Sequence, residues 1–260
     1  MTKLIGHILA VGIGLSLGLI GGGGSILAVP ILVYVMGIDA KSAIAMSLVI
    51  VGTVSIIGAI PHWKQGNVNL KTAISFTPTA MLGAFLGARF TALSFITETF
   101  QLICFGVIMA IASILMIRKG SQKKDSKNGK FEAVEQPSHK GISQWLIISA
   151  EGFGVGILTG FVGVGGGFLI VPALVLLGGI PMKEAIGTSL IITSANSASG
   201  FLGYISQVKV DWNLIISFTI AASAGTLLGA YLTRYIDAKQ LQKSFGYFVL
   251  VVAILVLIKR

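Results

Sequence analysis

The chain has 260 residues, of which 54% are hydrophobic and 11% charged, with a formal net charge of +10 and a mean hydropathy of +0.91. Soluble domains average about 25% charged residues, so composition excludes an ordinary soluble fold. The basic excess is not a nucleic-acid footprint either, because seven of the nineteen Lys and Arg residues fall in one stretch, 118–140. The single cysteine, Cys104, excludes an intrachain disulfide.

In chain order, the first element is an uncharged run at 4–38. Lys3 ahead of it imitates a signal sequence, but no small-x-small cleavage site leads into polar mature sequence, so the run is read as structure. As one straight helix it would reach roughly 50 Å, well beyond a hydrocarbon core of about 30 Å. It must break, and four consecutive glycines, Gly21, Gly22, Gly23 and Gly24, mark the place. Pro30 is expected in or just beyond the first turn of the helix that resumes, where a missing N–H costs least. An apolar span with Ser and Thr follows at 43–60, then the polar loop HWKQGNVN. A span at 72–88 ends in the G-x-x-x-G of Gly83 and Gly87, and a last one covers 99–117. The runs are continuously apolar without period-2 alternation, which predicts helices and not a barrel. Residues 118–141 form a basic hydrophilic linker, which the positive-inside rule places in the cytoplasm.

After the linker the series repeats. At a constant offset of 142, GLIGGGGSILAVP (18–30) lies over GFVGVGGGFLIVP (160–172). In the same register Gly12 and Gly14 meet Gly154 and Gly156, Ser47 and Leu48 meet Ser189 and Leu190, and Gly83 meets Gly225. The chain therefore reads as an all-α polytopic membrane protein of two homologous halves, 1–117 and 142–260, each with a glycine-broken helix pair and three transmembrane helices. Pro172 is the partner of Pro30. If the broken segment crosses the membrane, the halves are parallel; if it is re-entrant, they are inverted. The basic residues outside the linker split evenly between these arrangements. Interrupted helices at matching positions are a recurring device of inverted-repeat transporters, and on that ground the re-entrant, inverted pseudo-two-fold arrangement is favoured.

At these residues the chain resembles the sulfite exporter TauE/SafE family of membrane permeases. The resemblance rests on GGGGSILAVP and GVGGGFLIVP, on AIAMSL and AIGTSL, on the G-N-V-N and V-K-V-D-W loops, and on LGAFLGA and AGTLLGA. It covers nearly the whole chain except the linker. It implies a cytoplasmic-membrane transporter of sulfur-containing anions such as sulfite or organosulfonates. Gly22 faces Val164 and Ser25 faces Gly167, so the two glycine loops are not equivalent.

Glycine turns before helices offer unhindered N–H groups and a partial positive charge, which favour anions. The candidate solute site is therefore Gly21, Gly22, Gly23, Gly24 and Ser25 with Gly163, Gly165, Gly166 and Gly167. Hydroxyls and an amide on the second span of each half are next: Ser47, Thr53 and Ser55, and Thr188, Ser189, Thr193, Ser194, Asn196 and Ser197. Of these, Ser47, Thr188, Ser189 and Asn196 lead, and the competing reading is that each bonds its own helix. His7 and Glu151 are candidates for a proton relay or for interfacial positions, and Arg89 for an anion vestibule or for snorkelling. His62, with Trp63 and Lys64, forms a loop that gates the path or anchors the interface. The G-x-x-x-G glycines are assigned to close helix packing. No metal-ligand spacing, nucleophile–base set or ATP-binding loop is present, so no metal, cofactor or enzyme activity is expected. The expected function is secondary transport of a small anion, with a proton or sodium as coupling ion and the lipid bilayer as the other partner. An anion channel, or a carrier of another solute such as a carboxylate, is the alternative.

Overall fold

The computed structural model describes residues 2–90, 98–121, 142–162, 167–204, 208 and 210–258. Among them every regular element is helical. Helix α1 (Thr2–Ile20) is followed by a 3-10 turn (Gly22–Gly24), α2 (Ser25–Pro30) and a π turn (Ile31–Val35). Then come α3 (Ala40–Lys64), α4 (Leu70–Phe90) and α5 (Glu98–Ser121). The second series is α6 (Ile142–Val162), α7 (Gly167–Leu176), α8 (Met182–Tyr204), α9 (Trp212–Thr233) and α10 (Ala238–Ile258).

Local chemistry at matching positions closes these elements in the same way. Asn69 Oδ1 accepts from Thr72 N to cap α4, and Asp211 Oδ1 accepts from Leu214 N to cap α9, both at 3.1 Å. Those two residues are what the G-N-V-N and V-K-V-D-W loops supply. Both half-helices end on a left-handed glycine, Gly37 (φ 71°) and Gly179 (φ 63°). Beyond each, a backbone bond reaches back six residues: Ile38 N to Leu32 O at 3.1 Å and Ile180 N to Leu174 O at 2.9 Å. These closures on a left-handed glycine are one residue wider than a Schellman motif, and a Cβ at the glycine would strain them.

The prolines lie just beyond the first turn of the resumed helices, but they do not make the breaks. Pro30 is the last of the six residues of α2, and Pro172 is the sixth residue of α7, which continues to Leu176. The missing N–H at Pro30 leaves the helix one bond short, and the chain continues as the π turn. The break itself belongs to glycine: Gly21 has φ 80° and donates back to Leu17 O at 2.8 Å. After it the chain returns along α1, where a Cβ on Gly6 would strike Met36 Sδ. In the second half, a Cβ on Gly178 would lie 3.4 Å from Glu151 Oε2 of α6.

Glycine also sets the packing. Helix α1 runs parallel to α9, with Gly14 against the Ala222 carbonyl and Gly225 against that of Val11. The pair α4 and α6 repeats this: Gly156 lies against the Ala80 carbonyl and Gly83 against that of Phe153. At the centre α3 and α8 cross antiparallel. Cβ positions at Gly52, Gly58 and Gly200 fall 3.0 Å from Ser197 Cβ, 3.4 Å from Leu190 Cδ1 and 3.2 Å from Leu48 Cδ1.

Among the described residues two helices, Ser42–Lys64 and Trp212–Thr233, are long and apolar enough to cross a membrane by length and composition. The short helix α7 is buried at every residue from Gly167 to Val175. At about 15 Å it is half the length a crossing needs, and its uniformly apolar surface fits a site inside the protein. The remaining surface is inside-out for water: Ile56, Ile60, Ile74, Leu82, Ile220 and Leu228 are exposed, while Ser47, Ser55, Thr188, Ser189 and Thr193 are buried. A bilayer is the solvent that such a surface matches.

Candidate functional site

The first glycine break meets the start of α7 inside the protein. Gly22 lies so close to Gly167 that a Cβ on it would coincide with the Gly167 carbonyl. Ser25 Oγ donates to Gly22 O at 2.6 Å, which fixes the 3-10 turn. A Cβ on Gly167 would stand 3.0 Å from both Ser25 Oγ and Thr193 Oγ1. One on Gly21 would stand 2.5 Å from Ser189 Oγ. Gly24 packs on the Ile13 carbonyl, and a Cβ at Gly23 would lie 3.3 Å from Phe248. The structure thus gathers Gly21, Gly22, Ser25, Gly167, Ser189 and Thr193 at one place. Gly163, Gly165 and Gly166 lie outside the described residues.

The other predicted side chains divide by what their polar atoms already touch. Ser47 Oγ donates to Ile44 O at 2.7 Å and Ser189 Oγ to Ile186 O at 2.8 Å, each to its own helix. Thr188 Oγ1 accepts from Asn69 N at 2.9 Å and so joins α8 to the start of α4. Asn196 Oδ1 is buried without a partner, as are Ser55 Oγ and Thr193 Oγ1. No local pattern distinguishes these cases, because they depend on how α3 crosses α8.

His62 is not in a loop. Helix α3 runs through Pro61 to Lys64, and His62 is fully buried. Its Nε2 donates to Gly18 O at 3.0 Å, and the Thr233 hydroxyl divides its one proton between Gly229 O at 2.9 Å and Gly18 O at 3.2 Å. This carbonyl is among the last four of α1, which need partners from outside the helix. The histidine therefore holds the end of α1 just before the break. His7 stacks at a tilt on Phe218, with ring centroids 5.1 Å apart. Glu151 is half-buried, with Oε2 unpartnered. Arg89 lies in α4, and its side chain is outside the described residues. A cavity of about 370 Å³ opens between α3 and α8, lined by Ile56, Ala59, Ile60 and Trp63 with Ile191 and Ser194. Among the described residues no group of three or more His, Cys, Asp or Glu is placed to hold a metal ion.

Apolar surfaces outward, hydroxyls inward and half-helices meeting at glycines define a helical membrane protein with an interrupted centre. The sulfite exporter TauE/SafE family pattern matches residues 7–256, and the chain belongs to that family of membrane permeases. It is 36% identical to a probable membrane transporter protein of Xylella fastidiosa, over 94% of this chain and 91% of the relative. It is 26% identical to the probable membrane transporter protein YdhB of Bacillus subtilis, over 85% and 86%. A probable membrane transporter protein of Haemophilus influenzae is 28% identical over 93% of each chain. No solved structure matches the chain.

Proposed function

We propose that the protein is a secondary carrier of the cell membrane that moves a small sulfur-containing anion, sulfite or an organosulfonate, by alternating access around its two glycine breaks. The observation that carries this reading is the meeting of Gly22 and Gly167 beside Ser25 and Thr193. Interrupted backbone at such depth survives only where protein surrounds it or where it lines a cavity. The first residue of α7 stands there, and a helix N-terminus favours an anion.

Two inverted halves fit the geometry. The antiparallel crossing of α3 and α8, with α1 parallel to α9 and α4 parallel to α6, is what an in-plane two-fold axis relating the halves would produce. The return of the chain from the break to Gly6 supports a re-entrant pair in each half. Membership of a sulfite exporter family favours a sulfur oxyanion over a carboxylate, and the sequence has no ATP-binding loop. On this reading Glu151 relays the coupling proton.

The test is uptake of sulfite and methanesulfonate by proteoliposomes, with and without proton or sodium gradients. A carrier gives saturable, gradient-stimulated flux. Single-channel currents without saturation would replace the carrier with a channel, and uptake of carboxylates alone would replace the substrate class.

A further inference from the structure

We infer that Ser55 and Thr193 are the side chains that hydrogen-bond the solute, and that the solute they take is a compact, singly charged oxyanion. This rests on the carrier reading above and names the donors of its site.

Hydroxyls are plentiful on α3 and α8, but three of the leading ones are already used. Ser47 and Ser189 bond carbonyls of their own helices, and Thr188 receives the Asn69 N–H. Ser55 and Thr193 differ: both are 0% exposed, and neither oxygen has a partner. A hydroxyl sealed from water normally finds a bond, so two unpaired ones at one helix crossing mark a place that something else completes.

Their positions agree. Gly52 stands against Ser197 and Gly58 against Leu190, and this antiparallel register sets Ser55 level with Thr193 across the crossing. Thr193 lies one turn from Ser189 on the face of α8 that borders the breaks, and its Oγ1 is 3.0 Å from where a Gly167 Cβ would be. The pair therefore joins the α3–α8 crossing to the meeting point of the half-helices.

The charge of the solute follows from what converges there. Gly21, Gly22, Ser25, Ser55, Gly167 and Thr193 are all uncharged. Hydroxyl protons and backbone N–H groups can share one negative charge spread over several oxygens. A second charge would have to leave water with no cation among these residues to receive it, which is strongly unfavourable, so sulfite would enter as the hydrogensulfite monoanion.

The experiment measures methanesulfonate uptake in proteoliposomes for the wild type, Ser55→Ala, Thr193→Val and the control Ser113→Ala, whose hydroxyl is tied to Ala110 O. We expect KM to rise about tenfold in the first two and to stay unchanged in the control. In detergent without solute, Thr193→Val should melt no lower than wild type, since it removes an unpaired polar atom, and the shift produced by methanesulfonate should vanish. A KM within about twofold of wild type in both variants overturns the assignment while leaving the carrier reading intact. Absence of any anion flux in the wild type would sink the carrier reading and this assignment with it. Excess sulfate, a dianion, should fail to inhibit methanesulfonate uptake; inhibition equal to that by unlabelled methanesulfonate overturns the charge assignment.

Discussion

Where α1 lies on α9 and α4 on α6, glycines let straight helices touch along their backbones: Gly14 and Gly156 sit at equivalent places against Ala222 and Ala80. At the centre, Gly21, Gly22 and Gly167 sit where helices stop or start, and Gly21 takes a left-handed φ of 80°. The same residue type thus serves close packing at the flanks and an interruption in the middle. The flanks make a rigid frame, and the centre leaves backbone and hydroxyl groups available. Substitutions at the two kinds of site should therefore fail differently, one in folding and the other in transport.

The largest effect is expected at the flanks. Gly14→Leu or Gly156→Leu drives a side chain into a carbonyl of the facing helix, where neither backbone can retreat. Overpacking of this kind costs about 3 kcal/mol or more, and it should abolish the monodisperse peak in size-exclusion chromatography. Gly22→Ala places a single methyl on the Gly167 backbone. It should insert and purify, yet flux should fall about tenfold or more as the two breaks are forced apart. A wild-type rate in that variant would remove the central glycines from the transport path.

Smaller effects sharpen the contrast. His62→Leu removes the Nε2 donor to Gly18 O and should cost about 1–2 kcal/mol in thermal stability. His62→Gln, which keeps a donor at a similar reach, should recover most of that loss. Glu151→Gln should abolish the stimulation of uptake by a proton gradient while leaving uptake at equal pH measurable. Persistence of the gradient effect would release Glu151 from the relay. Smallest of all, Asn69→Ala and Asp211→Ala should each lower stability by about 1 kcal/mol through lost caps, with equal effects in the two halves.

Much of the frame was legible because it depends on local chemistry. The 142-residue offset foretold that Asn69 and Asp211 would hold matching places, and the glycine run foretold a break near Gly21. Assigning Gly83 and Gly225 to packing agrees with the backbone contacts they make. Pro30 and Pro172 were less legible: they lie just beyond the first turn as expected, but as helix breaks they fail, since α7 continues through Pro172. His62 looked like part of a loop because a polar stretch begins there, and only the approach of α1 explains its burial. The choice among hydroxyls was illegible for the same reason. Ser47 and Ser55 look alike in sequence, but one bonds its own helix and the other faces a crossing whose register no single helix encodes.

The two half-helices also differ in what holds them. Helix α7 is buried from Gly167 to Val175, and Lys119 Nζ secures its Val175 carbonyl at 2.8 Å. Its counterpart passes into a π turn after Pro30 and carries an exposed Tyr34. A widened turn next to a proline is where a helix bends with least loss of bonding. The two half-helices are thus unequally held: the second is clamped along its length, and the first carries at Pro30 the turn where bending costs least.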